Sequence, residues 1–264
     1  MFNFSFPKKA ADWSPWLDAA ALLLWGSLLL KYTITGQLAL LIHPNYFVLS
    51  TLAGIVLLLL GLGKLWQNIN PSLYAGESIQ HISLLPQNLG SSLLILVAIA
   101  GFIISPSILA SQTAIQRGLT EDLPLTRSQP ESFRTGISPE ERTLLDWIRT
   151  LNAYPEPDAY TGDPVKVKGF VTYLPQLPEN YVMVSRFVLT CCAVDAYPVG
   201  LPVQLSDELP RPASDSWVEV EGEMITKEFE LSAEETEAGV EQRQLVIVAS
   251  TVSPIPTPKN PYDY

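Results

Sequence analysis

The 264-residue sequence is poor in the side chains most enzyme chemistry needs, with two cysteines and two histidines in all. Both histidines, His43 and His81, precede residue 111, so residues 111–264 hold no imidazole. That removes most general acid–base and nucleophilic designs, which lean on a group titrating near neutral pH. The chain also lacks a glycine-rich phosphate loop, a dinucleotide fingerprint and a Ser-His-Asp arrangement. A protein that is not an enzyme is the expectation. A closed zinc site usually takes four ligands, and the second half offers no His and no Cys beyond Cys191 and Cys192.

Charge is scarce in one half only. Residues 1–110 carry four Lys/Arg and three Asp/Glu, whereas residues 111–264 carry twelve and twenty-four. A nearly uncharged half dominated by Leu, Ile, Val and Ala reads as membrane. A crossing needs about 20 apolar residues rising ~1.5 Å each. Three stretches approach that: about 15–34, with Asp18 and Lys31 near its ends; about 46–66, uncharged before Lys64; and about 87–105, between Pro86 and Pro106. Three transmembrane helices are therefore expected within a membrane domain of residues 1–110. A cleaved signal peptide is the rival reading of the first stretch, but residues 33–46 offer no convincing small-residue cleavage site. Trp13, Trp16, Tyr46, Trp66 and Tyr74 flank the stretches as interfacial anchors do. His43 reads as a polar interfacial residue, with a ligand on a transport path as the alternative. Counting Lys8, Lys9, Lys31 and Lys64 puts the N-terminus inside by a narrow margin. Three crossings then place the C-terminal half outside the plasma (inner) membrane.

Residues 111–137 show no sustained apolar period and read as a linker. From 138 to 264 the pattern is β-rich, opened by a short amphipathic helix. Ser138 is the expected N-cap, Pro139 the first helical position and Glu141 the capping-box partner, with Leu144, Leu145, Ile148 and Leu151 on one face. Strands are expected at 164–174, 180–191, 197–205, 216–225 and 243–252. Val165, Val167 and Val171 alternate there with Lys166, Lys168 and Thr172, and Val218 and Val220 with Glu219 and Glu221. Gly222 marks a bulge, and Pro198 and Pro202 suit an edge strand. An acidic insertion precedes the last strand, with Ser232 capping a helical turn that carries Glu235 and ends at Gly239. The fold class expected is membrane α plus soluble β: three transmembrane helices, a short helix and a five-stranded OB-like barrel, with a sandwich as the alternative. An OB-like barrel often binds nucleic acid, yet the net charge of -12 over residues 111–264 repels a polyanion.

The two cysteines, Cys191 and Cys192, are adjacent in "RFVLTCCAVDAYPVGLPV", with Asp195 three residues on. On a regular strand their side chains would point to opposite faces. A bend at the strand end would turn both the same way. Three readings stay open: thiols packed as small hydrophobes, a vicinal disulfide or redox pair, and a site for a soft metal or metalloid ion with Asp195 as third ligand.

That run, with "VKVKGFV", "IHPNYF" and "PTPKNPYDY", resembles the bacterial YcgQ-type membrane proteins over most of the chain. The pattern RFxxTCCAxDAxPxG places Cys191, Cys192, Asp195 and Pro198 on the family motif; Val194 stands where many relatives carry Ala. The resemblance implies an N-terminal membrane region, a β-rich C-terminal domain and a neighbouring YcgR-type permease, whose wider family includes exporters of organic arsenicals. It implies an accessory subunit of that permease.

Overall fold

The computed structural model describes residues 13–70, 88–119, 138–229 and 242–264. They form two compact units, Met1–Ser107 and Ile108–Tyr264.

The first unit is helical: α1 (Ser14–Ile34), α2 (Phe47–Ile69) and α3 (Leu89–Ile103). Pro15 opens α1 where a missing N–H costs nothing, and long Leu runs carry all three helices. α2 packs on α1 through glycine, since a Cβ on Gly26 would meet the Gly54 carbonyl oxygen at 2.8 Å. Among the described residues of this unit the charged side chains, Asp18, Lys31 and Lys64, lie towards the helix ends and each has a polar partner. Asp18 of α1 binds Lys64 of α2 and accepts from Ser91 of α3. At the opposite end Lys31 donates to the Phe102 carbonyl at 3.1 Å, and the Tyr32 hydroxyl to the Gly101 carbonyl at 2.6 Å. α3 therefore runs parallel to α1, from the level of Asp18 to that of Lys31. The outer faces are apolar: Val48, Leu49, Leu59, Leu93 and Leu96 are each more than half exposed.

α1 and α2 are long and apolar enough to cross a membrane. The third stretch, expected over 87–105, forms a helix of 15 residues, below the ~20 that a crossing requires. By length alone the count is two rather than three. His43 caps the 3-10 turn before α2, its Nδ1 accepting from the Asn45 N–H at 3.1 Å.

The second unit is a closed five-stranded barrel: β1 (Pro164–Thr172), β2 (Tyr181–Val188), β3 (Tyr197–Gln204), β4 (Trp217–Phe229) and β5 (Gln242–Pro254). The order is β1-β4-β5-β3-β2, closed by β1 on β2, with β3 parallel to β5 and the other barrel pairings antiparallel. A sandwich is thereby ruled out. The valines that alternate in β1 and β4 point inward and meet Val182, Val184, Val199, Leu201, Leu245 and Ile247 in one core. The bulge lies where Gly222 foretells it, but β5 supplies the extra residue: Glu221 pairs with Thr251 and Gly222 with Ala249, skipping Ser250. A Cβ on Gly222 would sit 2.0 Å from the Val248 carbonyl oxygen.

Three local expectations need correction. β3 is not an edge: it pairs with β2 along its whole length and with β5 at Val203 and Gln204, so both prolines fall outside the short parallel pairing. The helix cap is Thr143 and Asp146, not Ser138 and Glu141. α5 (Leu144–Ala153) begins there, with the Asp146 N–H donating to Thr143 Oγ1 at 3.2 Å and the Thr143 N–H to the Asp146 carboxylate at 3.1 Å. Pro139–Glu141 make a separate 3-10 turn, because Arg142 is extended. Finally, part of the expected linker, Ser111–Gln116, is a short helix, α4. The turn expected around Ser232, Glu235 and Gly239 lies outside the described residues.

α5 buries Leu144, Trp147 and Ile148 against the barrel interior. The C-terminal residues form β6 (Tyr262–Asp263), which runs parallel to β2 at Phe187 and Val188 and extends the edge of β2 beyond its pairing with β1.

Candidate functional site

β2 ends at Val188, and residues 189–196 form its connection to β3. Cys191 and Cys192 therefore lie past the strand, where alternation no longer applies. The turn is closed by the Asp195 N–H donating to the Cys192 carbonyl at 3.1 Å. The Asp195 carboxylate folds back over it, accepting the Cys191 N–H at 2.8 Å on one oxygen and the Cys192 N–H at 3.1 Å on the other. The consequence is that both thiols turn to the side of the carboxylate. Their sulfurs are 3.6 Å apart, and one donor atom from each of Cys191, Cys192 and Asp195 lies within 4.8 Å of the others. Both thiols are free; Cys191 is exposed and Cys192 half-buried.

A residue the sequence does not point to fixes the loop from behind. Arg117, at the C-terminal end of α4, donates from Nη1 to the Ala193 carbonyl at 3.1 Å and to the Ala196 carbonyl at 2.5 Å. Those carbonyls flank Asp195. The contact spans 76 residues, and no local motif announces it.

Electrostatics keep the first thiol protonated. Hydrogen bonds to the Asp195 carboxylate and to Cys192, then desolvation and the negative charge of Asp195, push Cys191 up to about 12. Desolvation raises Asp195, but hydrogen bonds from the Cys191 thiol and from the backbone of Cys192, Cys191 and Thr190 outweigh it and hold the carboxyl below its usual range. A carboxylate oxygen has two lone pairs. One of the donors that Asp195 already accepts is the Cys191 thiol, so an ion that replaced that proton would meet a lone pair already turned towards the sulfur.

Two other surfaces of the barrel are spoken for. The aromatic face, where an OB-like barrel would stack bases, is buried: Phe170 stacks on Phe187 at 5.5 Å, with Trp217 and Tyr262 edge-on. The Leu109 N–H donates to the Tyr262 hydroxyl at 3.1 Å across it. A groove of about 300 Å³ is lined by Arg142, Lys166, Lys168 and Arg186, but Glu219, Glu221 and Asp263 pair three of these cations and Arg142 lies over the Trp147 ring. It presents no excess of one sign.

A helical unit with two helices of membrane-crossing length, joined to a closed five-stranded barrel with an exposed Cys-Cys-Asp loop, is the class of molecule this defines. The chain belongs to the DUF1980 family, which is uncharacterised: residues 17–120 match its N-terminal domain and residues 129–264 its C-terminal domain. The N-terminal match runs past the end of the helical unit and includes α4 and Arg117. No curated protein matches the chain.

Proposed function

We propose that the protein is a membrane-anchored accessory subunit of a permease, with its barrel outside the plasma membrane presenting Cys191, Cys192 and Asp195 to a thiophilic cargo. The observation that carries this is the loop, in which two thiols and a carboxylate converge at the surface of the barrel. A tethered site raises the local concentration of what it binds beside a transport path. The resemblance to YcgQ-type proteins supplies the YcgR-type permease as partner. Three crossings are favoured by the path of α3, which spans the same height of α1 as the Asp18 and Lys31 contacts. The net charge of -12 in residues 111–264 and the buried aromatic face speak against nucleic acid as a partner.

Exchanging both cysteines for serine and measuring cargo-ion binding and metal or metalloid resistance tests the thiol role. Loss of both supports it; wild-type behaviour in both assays rejects it.

One observation favours a second reading, a docking module with inert thiols. Both Asp195 oxygens already brace the turn, so the loop has a structural reason to exist. Under that reading the double serine variant still co-purifies with the permease and supports transport, whereas Asp195→Ala loses both.

A further inference from the structure

The spacing of the donors says which ions fit. We infer that the 189–196 loop is an open three-donor site for a tetrahedral divalent cation of the zinc class, held by the sulfurs of Cys191 and Cys192 and one Asp195 oxygen, with its fourth position free to exchange. The inference rests on the thiol-binding reading and narrows it.

Two sulfurs 3.6 Å apart, each bonded at about 2.3 Å to one ion, subtend an angle of about 100° there, close to tetrahedral. An ion that prefers two collinear thiolates needs them about 4.6 Å apart at the same bond length and leaves the carboxylate idle. The backbone opposes that spreading. Asp195 holds both cysteine N–H groups, and Arg117 holds the Ala193 and Ala196 carbonyls, so the backbone and the two Cβ positions are fixed and only side-chain rotation is left to part the sulfurs.

The donor set points the same way. Two soft sulfurs with one hard oxygen suit a borderline ion better than a purely soft one, which would be served by sulfur alone. The third edge is near closure as well: tetrahedral S···O edges are about 3.5 Å at ordinary bond lengths, and the donors already lie within 4.8 Å, so small side-chain adjustments bring them to it. The N–H groups behind the carboxylate orient it as the hydrogen bonds behind a metal ligand do. Loading replaces the two thiol protons by the ion and releases both to solvent. With three protein ligands and the outer side open at Cys191, the ion keeps one position for water or an acceptor, as suits a hand-off rather than a store.

The test titrates the reduced full-length protein in detergent micelles with Co²⁺, whose absorption reports both sulfur bonding and geometry. The expected result is a thiolate charge-transfer band with intense tetrahedral visible bands, displaced by one equivalent of Zn²⁺. Cys191→Ser and Cys192→Ser each weaken binding by about tenfold or more, and Asp195→Asn weakens it while sparing the charge-transfer band. Unchanged circular dichroism in the three loop variants separates this from misfolding. Capture of Ag⁺ by both thiols, with Co²⁺ and Zn²⁺ left free, overturns the tetrahedral inference and leaves the thiol reading standing. Failure to bind any of the three ions overturns both.

Discussion

Cys191 is open to solvent and yet held protonated, a combination that exposure alone does not suggest. The thiolate is the nucleophile. At pH 8 a thiol near 12 is ionised to about one part in 10⁴, against about a tenth at its ordinary value of 9.0. In a Cys192→Ser background, a membrane-impermeant maleimide is therefore expected to label Cys191 slowly at neutral pH although the residue is exposed. Asp195→Asn removes the largest cause of the shift and is expected to speed labelling by about tenfold or more, moving the rate–pH profile to lower pH. Equal initial rates in the two proteins would remove the carboxylate from the explanation. The stability consequence has a definite sign. A raised thiol pKa means the fold prefers the protonated form, so its contribution is complete below pH 9.0 and fades as pH climbs towards about 12. Cys191, Cys192 and Asp195 are visible in the sequence by their spacing; their convergence is not, because it depends on where β2 ends.

Between elements, Arg117 at the C-terminal end of α4 ties that helix to the thiol loop. Arg117→Ala is expected to raise amide hydrogen exchange at Cys191, Cys192 and Asp195 while leaving the β2 and β5 core protected, and Arg117→Lys to restore part of the protection. Equal exchange in all three proteins rejects the brace. The barrel itself offers sharper tests. Gly222→Ala places a methyl against the Val248 carbonyl and is expected to cost at least the ~1–3 kcal/mol of overpacking, read from thermal or denaturant unfolding. Thr143→Ala removes the α5 cap at about 1 kcal/mol, whereas Ser138→Ala, with no side-chain cap bond to lose, is expected to be near neutral. That pair separates the observed cap from the one the sequence suggests. The strands were legible because alternation follows from a half-buried sheet, and the bulge because only glycine tolerates such an approach. The cap expected at Ser138 gives way because Thr143 and Asp146 repeat its spacing five residues on and set Leu144 and Ile148 against the core. Pro198 and Pro202 suggested an edge because propensity does not reveal that the neighbouring strand pairs over two residues only. β6 is too short to carry a period, and α4 too short and polar.

For the whole molecule the question is how many times the chain crosses the bilayer, because parity decides which compartment the thiols face. α1 and α2 have the length for it. α3 falls short by itself, yet a crossing is judged by where a helix starts and stops as well as by its residue count. Its first turn touches Asp18 and its last touches Lys31, residues of α1 that are 13 positions and so about 20 Å apart along the axis. If α1 crosses, α3 covers most of the same hydrocarbon depth, and thinning of the bilayer or the flanking residues make up the rest at fractions of a kcal/mol per Å. The proposal of three crossings is then read from single-cysteine reporters in a protein lacking Cys191 and Cys192. Val194→Cys, at a loop tip 86% exposed, is expected to react with impermeant maleimide in intact cells, and Ser5→Cys only after permeabilisation. Labelling of both or of neither before permeabilisation indicates an even number of crossings. In that case the loop lies on the same side as the N-terminus, and any cargo it meets is met there.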